Sequence, residues 1–227
     1  MESTRYMANV ITAANLFFGA MSIFLSVIGK YIPAAWIIFF SIIFDIADGK
    51  IARMSNGPSE FGKQFDSLAD LVSFVVAPSV LAFTLNCPAF FLWRLLVCLM
   101  AVFCGAFRLA RFNIEAEDKI PLFFNGLPTP GFGALTASIV LVHYKYNLDV
   151  DPQIISVIVA ILAMMMVSRI KYPTFKNVAL FQWKYLLGFA IILTTLFIIP
   201  ELVVFVLSLA YVVLMPIKAN LTREEKG

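Results

Sequence analysis

The chain has 227 residues, of which 61% are hydrophobic and 14% charged, and its formal net charge is +3. Soluble domains run nearer roughly 45–50% apolar and 25% charged, so this composition, with a mean hydropathy of +0.91, excludes an ordinary soluble domain and points to a helical membrane protein. The weak net charge argues against a nucleic-acid partner, and one histidine (His143) with three cysteines (Cys87, Cys98 and Cys104) out of metal-type spacing argues against a zinc site or a Ser-His-Asp triad.

A membrane-spanning helix needs about 20 mostly apolar residues. In chain order the candidates are 8–29, 32–54, 64–86, 89–112, 131–147, 154–171, 183–199 and 202–217. The first run lacks a basic leader and a small-residue cleavage site, so it is expected to stay as a helix and not to be removed as a signal. The last two runs are short and split by Pro200-Glu201, which predicts a tight outer turn; one long kinked helix is the alternative. No polar stretch is long enough for a separate soluble domain. Residues 1–227 therefore read as one all-α domain, a polytopic membrane bundle of about eight helices.

Polar breaks punctuate the bundle at Ser55-Asn56-Gly57-Pro58-Ser59-Glu60, Glu115-Ala-Glu117-Asp118-Lys119, Asn125-Gly126-Leu127-Pro128-Thr129-Pro130-Gly131 and Lys171-Tyr-Pro173-Thr-Phe-Lys176. All are turn chemistry. With the N-terminus inside, fourteen of the 17 Lys and Arg residues fall at inner ends and loops, and only Lys30, Arg94 and Lys145 fall outside. The positive-inside rule then predicts cytoplasmic termini and a cytoplasm-facing function.

Four carboxylates interrupt the second and third apolar runs. They lie in Asp45-x2-Asp48-Gly49-x2-Ala52-Arg53-x8-Gly62-x3-Asp66-x3-Asp70. A charge at the centre of a spanning helix costs ~2.5–3.5 kcal/mol on insertion scales, so chemistry is a better explanation than packing. At about 100° per residue, Asp45, Asp48, Gly49, Ala52 and Arg53 share one broad helix face, and Gly62, Asp66 and Asp70 form a stripe on the next helix. A short link containing Gly57-Pro58 predicts antiparallel neighbours with facing stripes. Carboxylate oxygens are hard ligands suited to Mg²⁺, Mn²⁺ or Ca²⁺. Four of them can hold two cations, a pair suited to clamping a pyrophosphate. Gly49 and Ala52 leave room for a ligand against the backbone, and Arg53 offers a planar fork for phosphate. Paired charges that only hold helices together, and a cation site in a transporter, are the competing readings. The transporter reading is weakened because transport sites sit nearer the bilayer midplane on interrupted helices.

This string resembles, without departure, the signature of the CDP-alcohol phosphotransferases. The resemblance implies a helical membrane enzyme, a homodimer with a six-helix core, that joins an alcohol to a phosphate from a CDP-linked donor and releases CMP. It implies metal ligation by Asp45, Asp48 and Asp66, a further ligand and general base in Asp70, and contacts to CDP from Asp48, Gly49, Ala52, Arg53 and the Gly62 stripe. Mg²⁺ or Mn²⁺, two per site, is the implied cofactor.

Softer motifs are similar to one branch, the integral-membrane phosphatidylserine synthases: Ile11-Thr12-x2-Asn15 with Gly19, Arg108-Leu-Ala-Arg111-Phe-Asn113, Gly126-Leu-Pro128-Thr-Pro130, and Val167-Ser-Arg169-Ile-Lys171-Tyr-Pro173-x-Phe175. They span about 6–176, leaving 183–217 as two additional helices. The branch implies a CDP-lipid (CDP-diacylglycerol or CDP-archaeol) and serine as substrates. Arg108 and Arg111 lie three apart on one face and suit the serine carboxylate, with Asn113 adding polar contact; lipid-headgroup anchoring is the other reading. Thr12 and Asn15 are either helix-packing hydrogen bonds or nucleotide contacts. Glycerol 3-phosphate or inositol phosphate remains an alternative acceptor. A cell-membrane location with the active site facing the cytoplasm completes the expectation.

Overall fold

The structure, a computed structural model, describes residues 2–54, 59–85, 90–115, 123–173, 195 and 198–224. The elements in order are α1 (Glu2–Val27), α2 (Tyr31–Met54), α3 (Glu60–Leu71), a π-helical turn (Val72–Val76), α4 (Ala77–Phe83), α5 (Phe91–Glu115), strand β1 (Phe123–Asn125), α6 (Thr129–Lys145), α7 (Pro152–Val167), strand β2 (Lys171–Pro173) and α8 (Pro200–Glu224). Among the described residues, five helical stretches are long and apolar enough to cross a membrane: Tyr6–Val27, Tyr31–Ile51, Glu60–Phe83, Phe91–Ile114 and Pro200–Ile217. Large apolar side chains such as Phe24, Phe103 and Leu214 point outward, as a lipid-facing surface requires. The molecule is an all-α polytopic membrane bundle.

Several boundaries differ from the sequence expectation, each for a local reason. The third span starts at Glu60, not 64, because Ser59 caps it by accepting the Gly62 N–H at 3.0 Å. The sixth helix stops at Val167, not 171. The chain there turns into β2, which pairs antiparallel with β1 through Phe123↔Pro173, Phe124↔Tyr172 and Asn125↔Lys171. Two loops expected to be plain turns thus form a small ribbon. Gly126 sits at φ +82, and a Cβ there would come within 2.1 Å of Met166 O, so the chain leaving β1 needs glycine. The Pro128-Thr129-Pro130 break opens α6 at Thr129, with Pro128 as its N-cap. α8 begins at Pro200, where the turn was expected, but runs through Pro216 to Glu224. The expected span 183–199 lies almost wholly outside the described residues, as does Cys87.

α1 and α2 pack antiparallel along most of their length. Hydroxyls set their register: Ser22 Oγ donates to Ala34 O at 2.9 Å and Ser41 Oγ to Asn15 O at 3.4 Å. α3, the π turn and α4 form one continuous rod that threads the bundle, and α1, α2, α5 and α6 all pack against it. Its C-terminal carbonyls are held by Arg94, whose guanidinium donates to Ala82 O (3.2 Å), Phe83 O and Leu85 O (2.7 Å). α8 lies against α6 and the β2 strand. There the Tyr172 hydroxyl donates to Val212 O at 3.2 Å. Burial pushes the Tyr172 phenol up to about 12.

Candidate active site

Asp45 and Asp48 lie on the C-terminal half of α2, and Asp66 and Asp70 lie on α3. Carboxylates of the two stripes converge as expected. One carboxylate oxygen from each of Asp45, Asp48 and Asp66 falls within 4.8 Å of the others. Asp70 lies one helical turn after Asp66 on the same stripe, within electrostatic reach of Asp45 and Arg108. Thr12 on α1 reaches across and donates to Asp48 Oδ2 at 2.8 Å, fixing that carboxylate from behind. Asp48 is only 4% exposed.

The donor set fits divalent cations. All the converging atoms are carboxylate oxygens, the chemistry of hard ions. Asp66 Oδ1 and Asp70 Oδ1 are buried and have no hydrogen-bond partner among the described residues, an arrangement that costs free energy unless something positive meets them. Charges within 4.8 Å of one another repel by about 3–4 kcal/mol per pair at an effective dielectric of about 20. Three such pairs amount to much of the stability of a small protein.

The remaining sequence-derived candidates fall in three groups. Thr12 and Asn15 are buried on α1 beside the acids. Thr12 binds Asp48, while neither amide atom of Asn15 has a partner among the described residues. Gly49 is half-buried on α2 next to Asp48, and Gly62 sits in the capped first turn of α3. Ala52 and Arg53 continue the α2 backbone, but their side chains lie outside the described residues.

The third group is α5. Arg108 is 6% exposed and donates to Thr129 Oγ1 at 3.2 Å, with its guanidinium 5.9 Å from the Phe112 ring centroid and near Asp70. It is therefore the cation on the acid side of the helix. Arg111, one turn on, is drawn to backbone: it donates to Asn125 O at 2.6 Å and Val167 O at 3.2 Å, tying α5 to β1 and the end of α7. Asn113 faces α3, where its Nδ2 donates to Ser67 Oγ at 2.9 Å and its carbonyl accepts from Lys63 Nζ at 2.9 Å. Arg108 thus lies within electrostatic reach of Asp70, whereas Arg111 and Asn113 bond the elements around them.

Ser67, Lys63 and Thr129 are site-supporting residues that pattern reading passed over. Ser67 is adjacent to Asp66 in sequence, and Thr129 sits inside the Pro128–Pro130 motif, so both were near a signal. Tyr211, whose ring packs against Gly131 in the first turn of α6, lies in an uninterrupted apolar run that carries no signal at all.

A family profile described as "CDP-alcohol phosphatidyltransferase" matches residues 5–169, which contain all four aspartates and Arg108. The chain is 40% identical over 173 residues to a CDP-diacylglycerol–serine O-phosphatidyltransferase of Helicobacter pylori, covering 75% of this chain and 73% of that protein. It is 35% identical over 172 residues to the Bacillus subtilis protein of that name, covering 76% and 92%. It is also 31% identical over 167 residues to an archaetidylserine synthase of Methanothermobacter thermautotrophicus, covering 73% and 68%.

Proposed function

Because the chain belongs to the CDP-alcohol phosphatidyltransferase family, we propose that it transfers a phosphatidyl-type group from a CDP-linked lipid to the hydroxyl of L-serine and releases CMP, a step of phospholipid synthesis. The observation that carries the donor half is the cluster of Asp45, Asp48 and Asp66 with oxygens within 4.8 Å. The acceptor half is supported by relatives named for serine transfer on both diacylglycerol and archaeol lipids. That leaves the tails open between CDP-diacylglycerol and CDP-archaeol. It also favours serine over glycerol 3-phosphate or inositol phosphate, and an enzyme over a cation transporter.

In this reading Asp45, Asp48, Asp66 and Asp70 hold two divalent cations, Mg²⁺ or Mn²⁺. Those cations supply charge neutralisation for the donor pyrophosphate and the departing CMP. Thr12 orients Asp48, and Asn15, Gly49, Ala52, Arg53 and Gly62 border the CDP head. Arg108 receives the serine carboxylate, with Arg111 and Asn113 shaping that side. Asp70 accepts the proton of the serine hydroxyl. The serine oxygen then forms a bond to the lipid-side phosphorus as the bond from that phosphorus to the CMP oxygen breaks. The chain's contribution is mostly positioning, as in other phosphoryl transfers.

The basic residues gathered at the acid end of the bundle support cytoplasmic termini and a cytoplasm-facing site in the cell membrane. The family resemblance supports a homodimer. The domain is read as one unit, with a core of about 6–176 and a C-terminal addition.

The test is CMP release by the purified protein in detergent or vesicles, with a CDP-lipid, with and without serine, across Mg²⁺ and Mn²⁺. Metal-dependent, serine-dependent CMP release is expected, with a phosphatidylserine-type product. Asp70→Asn should abolish turnover while the protein still binds CDP-lipid. A product that forms without serine would overturn the acceptor, and robust turnover by folded Asp70→Asn would remove the base assignment.

A further inference from the structure

α3 carries two of the site's acids and α5 its buried arginine, and hydrogen bonds tie the inner ends of these helices together. Asn113 Nδ2 donates to Ser67 Oγ at 2.9 Å, Ser67 Oγ donates to Lys63 O at 3.1 Å, and Lys63 Nζ donates to Asn113 O at 2.9 Å. Asn113 O belongs to the last turn of α5, where carbonyls lack a partner within the helix and a lysine charge is favoured. Lys63 and Ser67 stand one turn apart on α3, so the three residues close a ring of hydrogen bonds between the helices. Deeper in the bundle, Gly105 of α5 meets the π turn: an added Cβ would fall 2.6 Å from Val75 Cγ2. The rod advances eight residues from Ser67 to Val75, and α5 runs back by the same eight from Asn113 to Gly105. The two therefore run antiparallel and in step, pinned by a polar ring at one end and by close packing at the other.

Asp70 and Arg108 lie between these pins. Asp70 comes three residues after Ser67 and Arg108 five before Asn113, which is about 4.5 and about 7.5 Å along their helices from the ring. At about 100° per residue, each also sits roughly a quarter turn from the contact line, and in antiparallel helices those rotations bring both to the same flank. We propose that the Lys63–Ser67–Asn113 ring is a specificity-determining strut: by fixing α3 against α5 it sets the gap between Asp70 and Arg108, and so the length of amino acid that spans them. This rests on the reading of Asp70 as the base and Arg108 as the carboxylate's partner. Homoserine has the carboxylate and ammonium of serine but is one methylene longer. A gap of fixed length seats the serine oxygen on the phosphorus and misplaces that of homoserine, and a misplacement of about 1 Å can cost roughly 100-fold in rate. The three residues act through the two helices, as positioning residues.

Steady-state CMP release by the full chain, with L-serine and L-homoserine as acceptors at saturating CDP-lipid and metal, tests this. Ser67→Ala and Lys63→Met should each lower kcat/KM for serine about tenfold, the scale of one lost hydrogen bond, and that for homoserine far less, so the preference for serine shrinks. The KM for CDP-lipid and the half-saturating metal concentration should stay put. Ser67→Thr and Lys63→Arg keep the hydroxyl and the donor and should restore the wild-type preference. Tyr31→Phe is the control, because it removes a bond from the Tyr31 hydroxyl to Thr84 O (2.8 Å) at the ends of α2 and α4 away from the acids. It should lower the melting temperature and leave the preference intact. A wild-type serine-to-homoserine ratio in either Ser67→Ala or Lys63→Met, homoserine turnover below detection included, would overturn the proposal, as would an equal shift in Tyr31→Phe. An unaltered serine KM in Arg108→Lys would instead overturn the acceptor reading, and the strut with it.

Discussion

Thr12→Val tests whether the hydroxyl on α1 belongs to the metal site or merely to helix packing. The side chain is buried, and its hydroxyl lies 2.8 Å from Asp48 Oδ2 and 3.0 Å from Ala8 O. Valine keeps the shape and branching but cannot donate, so Asp48 loses its one side-chain donor among the hydrogen bonds described. A hydrogen bond to a charged group contributes about 1.5–3 kcal/mol, which corresponds to roughly 10- to 150-fold in a binding constant. Losing a group that orients a metal ligand typically costs about 10–100-fold in metal affinity or activity, so the two estimates agree. The assay is CMP release titrated with Mg²⁺ and with Mn²⁺. The half-saturating metal concentration should rise at least about tenfold on that scale, with much of the rate recovered at high metal. Ser22→Ala is the control, because Ser22 ties the same two helices through Ala34 O at 2.9 Å far from the acids. It should lower the melting temperature and leave the metal curve in place. An unchanged metal curve in Thr12→Val, or a change confined to the KM for CDP-lipid, would refute the reasoning and move Thr12 to the nucleotide.

Three further outcomes follow from the same geometry. Removal of divalent cations by a chelator should lower the melting temperature, and Mg²⁺ or Mn²⁺ at about 100 times its Kd should restore about 2.7 kcal/mol; Asp45→Asn combined with Asp66→Asn should erase that response, and equal melting temperatures with and without cations would count against a metal site. Gly19→Ala should cost about 1–3 kcal/mol by overpacking, since the new Cβ would fall 2.2 Å from Ser73 Oγ and 2.7 Å from Ser73 Cα; thermal unfolding in detergent reads this. Arg94→Ala removes a donor to three carbonyls at the end of α4 and should cost about 1–3 kcal/mol, as leaving buried acceptors unsatisfied does, while a variant still folded at low temperature should keep the wild-type KM for both substrates.

The acids were legible from the chain because their logic is local. Spacings of three and four put Asp45 with Asp48, and Asp66 with Asp70, on single faces, and a short turn allows only one way for neighbouring helices to meet. What was not legible depends on contacts between distant segments. Thr12 could be flagged as polar in an apolar span, but its choice of Asp48 follows from the α1–α2 register, which hydroxyl–carbonyl contacts and side-chain shape settle together. Arg108 and Arg111 looked equivalent by spacing. They differ because one meets Thr129 and the Phe112 face while the other meets carbonyls where β1 and α7 end. The start of α3 was misplaced because Glu60, Lys63 and Gln64 lower the hydropathy of a turn that Ser59 nonetheless caps. Tyr211 was invisible because nothing in an apolar run distinguishes a ring that faces lipid from one that packs against Gly131 of α6.

The π-helical turn at Val72–Val76 explains how four mutually repelling carboxylates are kept in place. It follows Asp70 by one residue, inside a rod buried enough that Ser73, Phe74 and Val75 lose all solvent contact. Three helices close on it through glycines. Gly19 of α1 lies against Ser73, Gly105 of α5 against the Val75 side chain, and Gly133 of α6 against the Phe74 backbone, where an added Cβ would fall 3.0 Å from Phe74 O. Ser73 Oγ also donates to Asn15 O at 2.9 Å. None of these contacts uses a carboxylate. The clamp therefore fixes the height and rotation of α3 from behind, while Thr12 fixes Asp48 from the side. A wider turn that frees one backbone register is a common device near functional sites, and here it lets the acid stripe face α2 while the rest of the rod packs on all sides. The packing of this turn therefore does not depend on the acids, which leaves the Asp45, Asp48 and Asp66 carboxylates to converge on one point.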